Sequence, residues 1–309
     1  GWTVEGDYKI HSGLQYADMR RWRRLMGMKQ ILVMMAAVVL VGCREKKDGN
    51  KGAVNPNKPL LNATSEKIIT DPNLERFIRN SLKKPTGELT ESDLSNVTEL
   101  DFRFFPLTNV KQLKKLKNLT KLSLTSIRLN EVKFLGELTQ LKELSLGANR
   151  LNEVPNSLEK LTQLTKLSLG HNQLNNVKGL EKLTQLTWLS LGDNQLTEVE
   201  GLEKLTQLKY LQLDNNKLSD VKGLEKLTQL EVLWLGKNKL AEVKGLENLM
   251  LLRGLGLESN KLTKIPNGLE KLTHLKELYL DNNPNLIKAQ VTELQKVLPN
   301  CKIYSNPSQ

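Results

Sequence analysis

The sequence predicts an α/β solenoid, with a curved parallel sheet on its concave side, short helical or irregular segments on its convex side, and a helical cap at each end. Three observations carry that expectation. The string Leu-Glu-Lys-Leu-Thr-Gln-Leu occurs four times, starting at Leu158, Leu180, Leu202 and Leu224. Units beginning at Leu94, Leu116, Leu138, Leu161, Leu183, Leu205, Leu227, Leu249 and Leu272 succeed one another every 22 or 23 residues. An asparagine recurs at one fixed place in seven of them. A chain of 309 residues with 5% aromatics and leucine throughout builds its core by repetition. Two cysteines exclude a disulfide framework, and three histidines (His11, His171 and His274) leave little material for acid–base or metal chemistry. No metal or other cofactor is expected.

Residues 1–18 carry no periodic pattern and precede three methionines, Met19, Met26 and Met28, so they read as a leader on which no function rests. Residues 19–42 read as a signal peptide. Arg20, Arg21, Arg23, Arg24 and Lys29 give a basic start, and Ile31 to Val41 are eleven uncharged apolar residues. That run is too short to span a bilayer, which takes about 20 residues, but it suits a signal-peptide core. It ends in Leu40-Val41-Gly42-Cys43, which resembles the lipobox of bacterial lipoproteins. The resemblance implies cleavage before Cys43, a lipid on its thiol, and a protein anchored on the exported side of a bacterial envelope membrane, the outer one in a Gram-negative cell. Cleavage would remove six basic and three acidic groups and lower the formal charge from +12 to +9. Residues 43–59, charged and rich in Gly, Asn and Pro, read as a flexible tether.

Residues 60–93 form the expected N-terminal cap. Asp71 suits a helix N-cap and Pro72 the first helical position. Leu74, Phe77, Ile78 and Leu82 then share one face, and Thr90-Glu-Ser-Asp93 starts a second, shorter helix. Residues 94–286 hold about nine units. In Leu164-Thr-Lys-Leu167-Ser-Leu169-Gly-His-Asn172-Gln-Leu174, alternate leucines point inward from a short strand. No unit buries its leucines alone, so neighbours complete one another's core. This motif and its 22-residue period resemble the leucine-rich repeats of bacterial internalins and of the protein phosphatase-1 regulatory subunit. Asn149, Asn172, Asn194, Asn216, Asn238, Asn260 and Asn283 form a column expected to satisfy backbone groups between rungs. Phe105 and Ile127 occupy that place in the first two units, so the ladder begins at the third. In residues 287–309, Ile287, Val291, Leu294 and Leu298 make a helical stripe that ends before Pro299, Cys301 reads as a buried small hydrophobe, and Cys301 to Ile303 add a last strand.

Chemistry is scarce. Gly170, Gly192 and Gly236 read as turn residues, not as a nucleotide loop. His171 and Asp193 fall on adjacent rungs near Ser168 and Ser190, but no third group orients the imidazole and an open sheet excludes no water, so a solvated surface histidine is expected. Dispersed Lys alternating with Glu argues against nucleic acid. The informative positions are those that vary on the concave face. Trp188, Tyr210, Trp234 and Tyr279 all fall there, with Gln212 and Asp214 close enough to add hydrogen bonds. Gly254 and Gly256 remove side chains from the strand after Trp234, so a shallow dent is expected beside it. Met250-Leu251 makes a smaller apolar patch at the margin. The expected function is non-catalytic recognition of a protein, with glycan or cell-wall binding as the alternative. An envelope enzyme subunit with an unrecognised site is a more remote one. The oligomeric state is left open.

Overall fold

The computed structural model describes residues 67–129 and 132–306. The readings of a leader, a signal peptide, a lipid on Cys43 and a tether concern residues 1–66 and lie outside the described residues. Ser65–Gln309 make one unit.

Ten three-residue strands form a single parallel sheet in chain order: β1 Glu99–Asp101, β2 Lys121–Ser123, β3 Glu143–Ser145, β4 Lys166–Ser168, β5 Trp188–Ser190, β6 Tyr210–Gln212, β7 Val232–Trp234, β8 Gly254–Gly256, β9 Glu277–Tyr279 and β10 Lys302–Tyr304. The register is fixed by the central leucine of each strand, so that Leu167, Leu189, Leu211 and Leu233 stand side by side. A slip of one residue would turn every such leucine to solvent. The leucines that open the units are buried as well, from Leu94 to Leu272. The returning segments contain short 3-10 turns such as Val110–Lys115 and Leu202–Lys204.

Two devices turn the chain. The first is the second residue after the leucine that follows each strand. His171, Asp193, Asn215 and Lys237 adopt left-handed backbone with φ of 54–56°. This corrects the reading of Gly170, Gly192 and Gly236 as the turn residues, since the turn conformation falls on the residue that follows each. Those glycines instead leave room for a neighbouring rung's side chain. The second device, on the later rungs, is a Gly-Leu-Glu triplet whose glycine caps the 3-10 turn that its Leu-Glu begins. Gly201 and Gly223 have φ near +100°, which an L side chain resists. Their N–H groups donate at 2.7 Å to the carboxylates of Glu203 and Glu225 two residues on.

The seven ladder asparagines are all buried. Asn194 shows the geometry. Its Nδ2 donates to the carbonyls of Leu191 at 2.9 Å and Leu169 at 3.1 Å, and its Oδ1 accepts the Leu174 N–H at 3.0 Å. Leu169 and Leu174 belong to the preceding rung, so each carboxamide reaches backward. Asn149 does the same for the second unit, accepting from the N–H groups of Ile127 and Leu129.

At the N-terminal end, α1 (Pro72–Leu82) buries Leu74 and Ile78, and Phe77 meets Phe102 at 4.7 Å between ring centroids. Asp71 is the N-cap, 1% exposed, and its carboxylate accepts from the Leu74 N–H. It also accepts the Thr108 hydroxyl and the N–H groups of Thr108 and Asn109, which ties the helix to the first repeat loop. The short α2 (Glu91–Ser95) begins with a capping box between Thr90 and Asp93. At the other end, α3 (Lys288–Val297) buries Leu294 and is followed by buried Leu298 and Cys301. Ile287 departs from the expected stripe. It sits one residue before the helix in extended backbone and is 45% exposed.

Candidate functional site

Because the strands are in register, every second side chain forms a row across the concave face. Trp188 and Tyr210 pair on adjacent strands and stack, with centroids 5.2 Å apart and planes at 9°. Trp234 meets the edge of Tyr279 at 5.6 Å, and Tyr279 stacks on Tyr304 at 4.6 Å. The four aromatics singled out in the sequence therefore lie on one face, joined by a fifth, Tyr304, which adds the end strand to the same surface.

The dent expected beside Trp234 is absent because the indole fills it. A Cβ on Gly254 would rest 3.9 Å from the ring, and one on Gly256 would overlap it. Two glycines on β8 let the ring lie down on the backbone, where it hides apolar area that an upright rotamer would expose. Trp234 is accordingly half-buried, not a freely projecting anchor.

Acids surround these rings. The residue three places after each strand's central leucine closes the concave row, and in consecutive rungs it reads Gly192, Asp214, Gly236 and Glu258. Each acid leans back over the glycine before it. A Cβ on Gly192 would stand 2.9 Å from Asp214 Oδ1, and one on Gly236 would overlap the Glu258 carboxylate. Among the described residues, Asp214 Oδ1 and Glu258 Oε2 are buried with no hydrogen-bond partner. Burial pushes both carboxyls above the ordinary carboxylate range. The neighbouring charges of Asp193 on Asp214, and of Asp214 and Asp281 on Glu258, add to the shift. A hydrogen bond from Gln212 and the Lys237 ammonium oppose it on Asp214 without reversing it. Burial and the Asp214 charge also push the Tyr210 hydroxyl up to about 12. Gln212 itself accepts a hydrogen bond from Ser190 at 2.8 Å. Glu258 was not singled out in the sequence, although the Gly-Asp-Gly-Glu row was there to be read.

The other readings resolve simply. His171 Nε2 lies 3.4 Å from Asp193, with half of the imidazole exposed, and Ser190 is engaged with Gln212. Met250 and Leu251 are exposed at 46% and 42%. In the N-terminal half of the concave face, Glu99, Lys121, Glu143 and Lys166 line a groove of about 360 Å³. Its charges are mutually paired, Lys121 with Glu99 at 3.1 Å and Lys166 with Glu143 at 3.6 Å.

Comparison with known proteins agrees with this architecture. Family models described as leucine-rich repeats match residues 139–196, 184–226 and 206–248. No curated protein matches by sequence. Among solved structures, an internalin C2 from Listeria monocytogenes is 28% identical with a TM-score of 0.65, covering 68% of this chain and 93% of that one. A leucine-rich-repeat protein of Leptospira interrogans is 27% identical with a TM-score of 0.58, covering 77% and 71%. An internalin from Listeria monocytogenes, 22% identical with a TM-score of 0.59 over 78% and 92%, shares the fold. The chain is a leucine-rich-repeat solenoid, an architecture consistent with protein recognition.

Proposed function

We propose that this chain is a non-catalytic recognition protein that binds a protein partner on its concave face and is held at a bacterial envelope membrane by a lipid on Cys43. The observation that supports recognition is the aromatic row. Trp188, Tyr210, Trp234 and Tyr279 share one open face, and large aromatics with partly exposed rings are the usual anchors of an interface. A solenoid supplies such a face rigidly, so little ordering cost falls on binding.

Crosslinking in the native envelope followed by identification of copurifying proteins tests the reading. A partner recovered with the native chain and with Thr184→Ala, an exposed control, should be lost with Trp188→Ala. Melting curves run alongside guard against unfolding. Equal recovery with both variants would move the site off the aromatic row, to the Met250-Leu251 margin. The anchor has its own test, which is metabolic labelling with a fatty-acid probe. Cys43→Ala should abolish the label, and unchanged label would refute lipidation there.

A further inference from the structure

The chain carries a formal charge of +12, yet the aromatic half of its concave face is acidic. Across the rows of β5 to β9 and the turn residues that close them, Asp193, Asp214, Glu258, Glu277 and Asp281 face a single base, Lys237. Some of these acids are occupied. Asp193 meets His171, and Glu277 accepts from the Tyr279 hydroxyl. Asp214 and Glu258 each keep one buried oxygen without a partner. The N-terminal half of the same face, with its paired charges, shows that the scaffold readily neutralises such positions when nothing else must meet them.

We infer that the aromatic half of the concave face docks a basic segment of the protein partner, with Lys or Arg side chains set against Asp214 and Glu258 and their stems laid across Trp234 and Tyr210. The inference rests on the concave-recognition reading and specifies its partner. A carboxylate short of donors, once it lifts from the glycine beneath it, is satisfied by a donor that carries opposite charge, and the guanidinium fork supplies such donors in fixed geometry. Aromatic faces attract the same cations and accept their methylene stems. The two acids lie two rungs apart, or about 10 Å at the usual strand spacing, which is too far for one basic group and suits two. Lys237, on the rung between them, favours the charged form of both without offsetting their burial, and a further cation set against them would favour it more. An anionic glycan or lipid headgroup would be repelled.

The probe is acetyl-tetra-arginine amide, titrated calorimetrically into the full chain at low and physiological salt, with tetra-glutamate as the opposite-charge control. The expected result is salt-sensitive binding of the basic peptide alone. It should weaken at least tenfold in the Asp214→Asn/Glu258→Gln variant and by less than twofold in Glu99→Gln/Glu143→Gln, which removes the same charge from the other half of the face. No binding, binding of both peptides, or equal loss in the two variants overturns the inference. A native partner lost with Trp188→Ala but retained by the Asp214→Asn/Glu258→Gln variant would leave concave recognition standing and remove only its basic partner.

Discussion

Asp71, beneath the N-terminal helix, and Asp214, on the sixth rung, are both carboxylates withdrawn from water, yet they are held in opposite states. Burial raises Asp71 too. It is outweighed by the Thr108 hydroxyl and the N–H groups of Leu74, Asn109 and Thr108, so its pKa ends below the ordinary value. Asp214 receives fewer donors and ends above it. Burial is common to both sites, and the number of donors aimed at the oxygens decides the sign. A carboxylate surrounded by its own donors ties elements together. One left short of donors waits for a partner.

The contrast is most sharply tested at Asp71. Asp71→Ala would orphan three backbone N–H groups and uncap α1, so it should cost about 2–4 kcal/mol, read as a lowered urea midpoint. A loss within that of a surface substitution would mean that the carboxylate is not what joins α1 to the first repeat. Next in size, Asn194→Leu strands the Leu174 N–H, at about 1–3 kcal/mol, while the Leu169 and Leu191 carbonyls each keep one donor, from Asn172 and Asn216. The exposed Glu198→Gln serves as its control. Glu203 would not, because its carboxylate holds the Gly201 N–H.

At Asp214 and Glu258 the direction reverses. Each has a folded pKa above its unfolded value, so the folded state holds protons that the unfolded state has lost. Their contribution to stability therefore grows as pH falls through the folded pKa and is lost as pH rises past it. Asp214→Asn and Glu258→Gln should each raise the melting temperature at pH 7 by about 2–4 °C, as expected for about 1 kcal/mol in a domain of this size, and flatten its pH slope above the ordinary carboxylate range. Asp71 works the other way. Its stabilisation is present above the unfolded pKa and is lost as pH falls through the lowered folded one. A fall in melting temperature for both amide variants would break the comparison. The smallest effect belongs to the paired half of the concave face, where Glu143→Gln should leave the midpoint unchanged within error, since exposed ion pairs contribute little.

What the sequence made legible was whatever repeats. Leucine spacing gave the strands, their order and their register, because a one-residue shift anywhere would expose a row of apolar side chains. The asparagine column was legible because a tight turn leaves the same backbone groups unpaired on every rung. Asp71-Pro72 announced α1 through local capping chemistry. The conformations of single side chains were not legible. Whether Trp234 stands up or lies across Gly254 and Gly256 is a choice of rotamer, and spacing is silent on rotamers. Glu258 escaped notice because it belongs to a row that varies from rung to rung, in which an acid looks like ordinary surface variation until its neighbours are in place. Ile287 shows the converse failure, a residue whose spacing fits a stripe that the helix begins too late to include.

The backward reach of the ladder gives the solenoid a direction in time. Each asparagine satisfies the backbone of the rung before it, so no rung is complete until its successor has been made. A chain that leaves the ribosome, or crosses a membrane, N-terminus first always trails one open rung, and the newest unit closes the one behind it. Closure ends with Asn283 completing the eighth rung and Tyr304 accepting the Leu280 N–H at 2.7 Å on the ninth. Cutting from the two ends is therefore unequal. A unit lost from the N-terminal side leaves the next rung's asparagine and strand N–H groups without their partners, whereas one lost from the C-terminal side removes the asparagine that had closed the rung before it.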